Sequence, residues 1–294
     1  MSNSSTPYHV VDLSPGRRVW LNAMDMSWSP HSIYGLLEVD VTIVRQFIAE
    51  HKARTGETLS FTGYLVFCLA RAVDEDKGVQ SYLKGRKQLV TFDDVDVGIM
   101  VEGHAGQQRA LMGHVIRAAN RQTYRQIHDE IRTVQHTPAP ANRGMPNWFR
   151  SAMLLPWPLS GLFKSLLGTI MRRNPALAVA MAGTVGITSV GMFGGGHSGW
   201  GVTPSAQNLS LVVGGAAWKP LVIEGEVEPR EILNLTVAFN HDVIDGAPAT
   251  RFTRRLVELI ESGYGLDESD VAGDGSAAEV TSDNYTDSRR VAVR

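Results

Sequence analysis

The chain has 294 residues, a formal net charge of −2 at pH 7, 43% hydrophobic residues and 20% charged residues. These proportions are typical of a soluble globular protein, and the near-neutral charge gives no electrostatic reason to expect a nucleic-acid partner. Cys68 is the single cysteine, so an intramolecular disulfide and a cysteine-rich metal site are both excluded. The length fits either two ordinary domains or one large α/β unit.

The two ends of the sequence differ from its middle. Residues 1–12 and 267–294 are predicted to be disordered, since the tail is rich in Asp, Ser, Gly and Ala and has too little apolar surface to offset ordering. The N-terminus lacks the basic start, apolar core and small-residue site of a secretion signal, so a cytoplasmic location is expected. Residues 13–266 are predicted to form the folded domain.

The first predicted elements are a strand and two helices. The segment "YGLLEVDVTIVRQFIAEHKART" begins with alternating apolar residues and passes into helical spacing, with Thr42 as the expected N-cap. Ser60 is expected to cap the helix "FTGYLVFCLARAVDE". This helix is apolar around most of its circumference, which predicts that it is buried and that Cys68 is a core thiol.

Two strands and an amphipathic helix follow. In "LVTFDDVDVGIMVEG" the alternation predicts a strand with one face in the core, and "ALMGHVIRAAN" is the next predicted strand. The segment "TYRQIHDEIRTVQ" places Ile127 and Ile131 four residues apart among charged residues and predicts an amphipathic helix. The three prolines of residues 136–146 predict a loop or hinge.

The apolar segment 152–171 has about the length of a membrane span, for which ~20 residues are needed. Pro156, Pro158 and Lys164 argue against a transmembrane helix. An interfacial or subunit-contact helix fits the composition better, and membrane-surface binding through 147–173 is an alternative that is not favoured. A short helix, "NPALAVAMA", is predicted next.

The last third of the chain reads mostly as strands. These are "GTVGITSVGMF", "LSLVVGGAAWKPLVI" and "ILNLTVAFNH", with "EGEVEPRE" as the expected hairpin turn, before a final helix "APATRFTRRLVELIES". The mixture of strands and helices predicts an α/β (α+β) two-layer sandwich with a mixed, largely antiparallel sheet.

The run "NHDVIDG" places His241 just past the end of a strand. An imidazole there could act as a general base if a neighbouring group fixes its orientation. Asp245 could do so by bonding the imidazole, or it could pair with an arginine and brace the turn. Alternatively, Asp245 and Gly246 are only turn residues before a helix, and the motif taken alone favours this interpretation.

A second candidate feature is Thr188 with Ser189, at the end of a strand and ahead of glycines at 191 and 194–196. Hydroxyls beside a closely approaching backbone suit the stabilisation of an oxyanion. A glycine-rich loop that only lets strands pack closely explains the pattern equally well. The spacing does not match a phosphate-binding loop or a serine-hydrolase elbow. The other histidines have no metal-ligand spacing, so no metal site is predicted.

Read together, these segments resemble the catalytic domain of the dihydrolipoamide acyltransferases, the E2 components of 2-oxo-acid dehydrogenase complexes, and more distantly chloramphenicol acetyltransferase. The resemblance lies in "LSPGRRVWLNAM", "GLLEVDVT", "FDDVDVGIMVE", "GHVIRAAN", "GITSVGMFG" and "AFNHDVIDGAPATRFTRRLVELIE". The last of these is similar to the family's Asp-His-Arg-Val-Ile-Asp-Gly segment.

The resemblance implies a homotrimer with each active site at a subunit interface, entered by coenzyme A from one side and a second thiol substrate from the other. His241 would be the general base, and Thr188 of a neighbouring subunit would donate its hydroxyl to the oxyanion. Asp245 would brace the turn through an ion pair with Arg17. Ser189 and Asp242 are candidate substrate-binding residues.

The sequence departs from the family in several places. No lipoyl domain is expected in this chain, and a lipoyl group is expected only if another chain supplies it. Asn240 and Asp242 reverse the local charge on either side of His241, the segment "GHAGQQRALMGHVI" replaces a short hairpin, and residues 137–181 form an apolar insert.

The function expected from the sequence is therefore a stand-alone, E2-like acyltransferase that uses coenzyme A or acyl-CoA as substrate and no metal. The alternative is a catalytically silent trimeric core or scaffold protein, although the retention of His241 and Thr188 argues against it. A membrane-associated enzyme acting on fatty acyl chains is a third possibility. The expected partners are copies of the chain, a possible higher assembly, and a lipoyl-domain or carrier protein.

Overall fold

The computed structural model of the protein describes residues 13, 17, 21, 31–85, 87–105, 108–137, 151–152, 154–155, 159–190 and 198–266. The ends predicted to be disordered, residues 138–146 of the predicted loop and the glycines at 191 and 194–196 lie outside the described residues.

Across the described ranges, six strands form one mixed sheet in the order β1-β8-β7-β6-β4-β5. These strands are β1 (Ser32–Asp40), β4 (Val97–Ala105), β5 (Gln108–Ile116), β6 (Val185–Ser189), β7 (Leu209–Ile223) and β8 (Glu226–Asn240). β6 runs parallel to both neighbours, β4 and β7, and the other three pairings are antiparallel. The prediction of a mixed, largely antiparallel sheet is confirmed. Two short strands, β2 (Tyr82–Lys84) and β3 (Gln88–Val90), form a separate hairpin.

Helices cover one face of the sheet and make the second layer. They are α1 (Thr42–Thr55), α2 (Phe61–Glu75), α3 (Tyr124–His136) and α6 (Gly246–Glu261). α2 is buried along most of its length, as predicted, and Cys68 lies fully inside the core. The Tyr64 hydroxyl donates to the carbonyl oxygen of Leu259 (3.1 Å), and the Tyr64 ring packs edge-on against Tyr124, which joins α2 to α6 and α3.

The helix caps differ from the predictions at one position. Ser60 caps α2, with its hydroxyl accepting the N–H of Gly63 (3.0 Å), as expected. Thr42 is not the N-cap of α1, which is Val41 without a side-chain bond. The Thr42 hydroxyl and N–H instead both donate to Asp40 Oδ1. The Asp40 carboxylate at the end of β1, and not the Thr42 hydroxyl, therefore accepts an N–H at the start of α1.

The hairpin between β7 and β8 is tighter than predicted. The turn consists of Glu224 and Gly225, both with positive φ (51° and 92°), a conformation for which glycine is favoured. The rest of "EGEVEPRE" belongs to β8, where Val227 pairs with Val222 across the strands. The predicted turn was therefore too long. Pro220 in β7 and Pro229 in β8 interrupt the alternation of apolar and polar residues, so the sequence pattern did not show how far the strands extend.

Helix α4 (Leu159–Arg173) lies within the predicted apolar insert 137–181, and α5 (Pro175–Ala182) ends one residue beyond it. α5 confirms the predicted short helix, with Pro175 at its start. A Cβ on Gly98 would lie 2.2 Å from the carbonyl oxygen of Ala182, so this glycine allows the end of α5 to approach β4. Within the described residues, no helix has the length and apolar character needed to cross a membrane.

Candidate active site

The turn after β8 is held by a dense set of hydrogen bonds. The N–H of Asn240 donates to the carbonyl oxygen of Asn208 (2.8 Å), and its side-chain Nδ2 donates to Asn208 Oδ1 (3.0 Å). The carbonyl oxygen of Asn240 accepts the N–H groups of Val243 and Ile244, each at 3.0 Å. Ile244 is buried in the core. The path of the chain from β8 into α6 is therefore fixed on both sides of residue 241.

His241 is the first residue of this turn, as the sequence predicts. Its N–H donates to the carbonyl oxygen of His31 (2.8 Å), which ties it to the start of β1. The side chain is 47% exposed, and its Nδ1 lies 3.9 Å from Asp245 Oδ1, too far for a hydrogen bond. The backbone thus positions an imidazole that is open to a substrate or to a second chain.

The two aspartates near His241 differ in their partners. Asp242 Oδ1 lies 2.7 Å from His31 Nδ1, a contact across 211 positions of sequence that the motif did not indicate. Asp245 occupies the N-cap position of α6 without a capping hydrogen bond and is 86% exposed. Its pairing with Arg17 stays a prediction, as does substrate binding by Asp242.

Thr188 and Ser189 lie on opposite faces of the sheet, because side chains alternate along a strand. Ile187, which shares its face with Ser189, belongs to the core under the helices. Thr188 is directly beside Val212 of β7, which is directly beside Thr236 of β8. Thr188 therefore belongs to the face away from the helices, called the outer face below.

Buried polar side chains on this outer face were missed by the sequence analysis. Ser210, Asn234 and Thr236 are buried, yet Ser210 Oγ, Thr236 Oγ1 and both polar atoms of the Asn234 amide have no hydrogen-bond partner in the described part of the chain. Buried polar groups normally have partners, so this cluster is unusual, and its atoms are enclosed by the chain itself. The signal was present in "NLTVAF", where Asn234 and Thr236 alternate with apolar residues.

The structure does not bring Thr188 and His241 together within one chain. Thr188 is level with Thr236, two strands away, and β8 continues from Thr236 to Asn240 before His241 follows. At about 3.4 Å per residue and about 4.8 Å per strand, Thr188 lies about 17 Å from the end of β8. A hydroxyl and an imidazole at this separation cannot serve one reacting carbonyl.

Away from this turn, one group of side chains has the composition of a metal site: Glu57, His128 and Asp129. Arg125 already binds both carboxylates, at 2.7 Å from Glu57 and 3.1 Å from Asp129. His128 Nδ1 accepts the N–H of Ser60 (2.9 Å) and its Nε2 lies 3.2 Å from Glu57 Oε1. Burial lowers the pKa of His128, which fits the neutral form that can accept this N–H. The group therefore acts as a structural network that holds the start of α2.

Replacing Glu57 with glutamine is expected to lower the free energy of unfolding at pH 7 by about 1 kcal/mol, since the pair is partly solvent-screened. The hydrogen bond from Arg125 is the largest cause that lowers the pKa of Glu57 from 4.5 to about 2. The unfolded chain therefore takes up the proton first as the pH falls. The stabilisation is complete above pH 4.5 and is lost between pH 4.5 and about 2.

Urea unfolding of the wild type and of Glu57→Gln across this pH range measures the difference. Glu50→Gln is the matched control, because Glu50 is an exposed carboxylate on α1 that accepts a hydrogen bond from Gln46. A difference between wild type and Glu57→Gln that stays constant down to about pH 2 would contradict the assignment.

Comparison with known proteins shows the family to which the domain belongs. The family model for the 2-oxoacid dehydrogenases acyltransferase catalytic domain matches residues 5–142 and 167–266. The unmatched residues 143–166 fall inside the predicted insert. The chain belongs to this family, and the resemblance drawn from its motifs is confirmed.

Among curated relatives, the chain is similar to the lipoamide acyltransferase component of the branched-chain alpha-keto acid dehydrogenase complex of Pseudomonas putida, at 25% identity over 76% of this chain and 45% of that protein. It is 24% identical to the dihydrolipoyllysine-residue succinyltransferase component of the mitochondrial 2-oxoglutarate dehydrogenase complex of Bos taurus, over 76% of this chain and 42% of the relative. The chain thus spans about half the length of the curated relatives that it matches.

Solved structures share the fold. The cubic core of the pyruvate dehydrogenase multienzyme complex aligns with a TM-score of 0.64 at 20% identity, over 90% of this chain and 96% of that one. A dihydrolipoamide acetyltransferase of Azotobacter vinelandii aligns with a TM-score of 0.63 at 22% identity, with the same coverage of 90% and 96%. The expected fold class is confirmed.

Proposed function

We propose that the protein is an acyltransferase that moves an acyl group between coenzyme A and a thiol acceptor such as dihydrolipoamide. The observation that carries the proposal is the imidazole of His241, which the backbone positions at the end of β8 and leaves open, in a chain of the acyltransferase family. The curated relatives are named for acyl transfer to lipoamide and to dihydrolipoyllysine residues. In this proposal another chain or a carrier supplies the lipoyl group.

In the proposed reaction, His241 removes the proton from the thiol of coenzyme A, and the thiolate attacks the carbonyl carbon of the acyl thioester. The tetrahedral oxyanion that forms accepts a hydrogen bond from the hydroxyl of Thr188. The intermediate then expels the thiolate of the other carrier, which takes the proton from the imidazolium of His241. One C–S bond is formed and one is broken, and the proton that His241 removes from the first thiol is returned to the second. No further reactant is needed.

We further propose that the site is shared between copies of the chain, most simply in a trimer. The separation of about 17 Å between Thr188 and the end of β8 supports this, because Thr188 and His241 of one chain are too far apart to act on the same carbonyl. Structures with the same fold are cores of multienzyme complexes. A cytoplasmic location stays a prediction of the sequence.

The structure of the Azotobacter vinelandii acetyltransferase also supports the proposed roles of His241 and Thr188. It was determined to investigate a serine, a histidine and an asparagine in the catalytic mechanism of that enzyme, and the asparagine follows the histidine by four residues. In the present chain Asp245 has this spacing from His241, and Thr188 is the candidate for the hydroxyl. Asp245 is therefore proposed to orient the catalytic turn.

Replacing Asp245 with asparagine is expected to lower kcat/KM by about two- to fivefold, because an ion pair of an exposed carboxylate contributes about 0.5–1 kcal/mol. If Arg17 is its partner, Arg17→Gln and the double variant lose the same activity as Asp245→Asn alone. The measurement is a double-mutant cycle on the transfer rate. Additive losses from the two single variants would show that Arg17 and Asp245 act separately.

The proposed activity is tested by the release of free coenzyme A from short-chain acyl-CoA donors in the presence of dihydrolipoamide. Turnover that requires both substrates is the expected result. An assembled protein without turnover for any donor and acceptor pair would instead support a catalytically silent core or scaffold.

A further inference from the structure

Helix α4 carries a row of large apolar side chains on its exposed side. Leu159, Leu162, Leu166 and Ile170 are spaced three or four residues apart and are all exposed, Leu162 by 70% and Leu166 by 58%. This spacing places them on one face of the helix. We call these four residues the α4 stripe.

The same helix is attached to the rest of the domain. Ser160 is buried, and Phe163 and Leu167, which border the stripe, are partly buried. The N–H of Gly85 in the β2–β3 hairpin donates to the carbonyl oxygen of Arg172 (2.8 Å), which attaches the end of α4 to the domain. The stripe is thus presented outward from a fixed helix.

Positive charge surrounds the C-terminal end of the stripe. Lys84 and Lys87 of the hairpin and Arg172 and Arg173 of α4 are exposed, and none of them forms an ion pair with a described residue. The hairpin bond to Arg172 brings these two basic segments together. In addition, the sequence contains no Asp or Glu between residues 131 and 223. The surface therefore combines an apolar row with uncompensated positive charge.

We propose that α4 docks this protein on a membrane surface rich in anionic lipid headgroups. Apolar side chains on one helix face enter the boundary of the acyl chains, and adjacent Lys and Arg side chains bind headgroup phosphates. The 15 residues of α4 span about 22 Å, less than the ~30 Å of the hydrocarbon core, so the helix lies along the surface.

Charge complementarity favours lipid over a second copy of the chain as the occupant. A second α4 stripe brings a second set of basic side chains, and residues 131–223 offer no carboxylate to compensate them. An anionic bilayer supplies both the apolar phase and the opposite charge. The inference does not depend on the proposed acyl transfer.

The test is co-sedimentation of the full chain with vesicles of phosphatidylcholine alone or with about 30% phosphatidylserine. The wild type is expected to bind the anionic vesicles, to bind neutral ones much less, and to be released at high salt. Two double variants are each expected to lower the partitioning of the protein onto anionic vesicles by about tenfold or more. They are Leu162→Gln with Leu166→Gln, and Arg172→Gln with Arg173→Gln.

The matched control is Val222→Thr with Val227→Thr. These two valines pair across the β7–β8 hairpin and are 71% and 68% exposed, so the control removes similar apolar surface elsewhere. It is expected to bind like the wild type, and unchanged circular dichroism confirms that all variants are folded.

Two results would overturn the proposal. One is a wild type that does not bind anionic vesicles, or a leucine variant that binds them as well as the wild type does. The other is a leucine variant whose sedimentation coefficient shows a smaller assembly, together with a wild type that does not bind the vesicles. The stripe would then be a contact between copies of the chain.

Discussion

Replacing His241 with alanine is expected to lower kcat for acyl transfer by about 10²–10⁴-fold, the usual contribution of a general base. The fold should be retained, because the hydrogen bonds that hold the turn come from backbone groups and from Asn240, and the imidazole is about half exposed. The measurement is the rate of coenzyme A release at saturating donor and acceptor, together with the unfolding midpoint.

The control for this variant is His136→Ala. His136 is an exposed histidine at the end of α3, so its removal takes away an imidazole of similar exposure at a distance from the turn. An equal loss of activity in both variants, or an active His241→Ala enzyme, would remove His241 from the proposed mechanism.

Replacing Thr188 with valine is expected to lower kcat by about 10²–10³-fold, the usual loss when one oxyanion donor is removed. Valine keeps the branched shape of threonine in β6, so the strand is little changed. Ser189→Ala is the matched control, because Ser189 lies on the opposite face of the same strand. A larger loss in the control would assign the oxyanion hydroxyl to Ser189.

A mixture of the two inactive variants tests whether the site is shared between chains. If His241 and Thr188 come from different copies, random trimers of His241→Ala and Thr188→Val chains contain complete sites at about one quarter of positions. Unfolding and refolding the variants together is then expected to restore about a quarter of wild-type activity. No recovery after verified mixing would place both residues in one chain's site.

Much of the fold could be predicted from local patterns. The strand with Val97, Ile99 and Val101, the buried helix α2 and the Ser60 cap all depend on neighbours close in sequence, and the structure confirms them. The errors occur where a nearby side chain competes. The Thr42 hydroxyl donates to Asp40 Oδ1 and accepts the N–H of Glu231 instead of an N–H of α1, and a pattern of residue types does not reveal these partners.

The geometry of the site could be predicted only in part. The position of His241 at the end of β8 follows from alternation and the helix start that comes after it. Its distance from Thr188 depends on the register of β6 with β7 and of β7 with β8, which no motif encodes. The contact of Asp242 with His31 likewise joins residues 211 positions apart.

The single cysteine makes the protein convenient to study by thiol chemistry. Cys68 is fully buried in α2, and burial raises the pKa of its thiol to about 12. Thiol reagents therefore react negligibly with the folded chain. A cysteine introduced at position 162 is then the one accessible thiol on the protein, and a fluorophore attached to it reports directly on the environment of the α4 stripe.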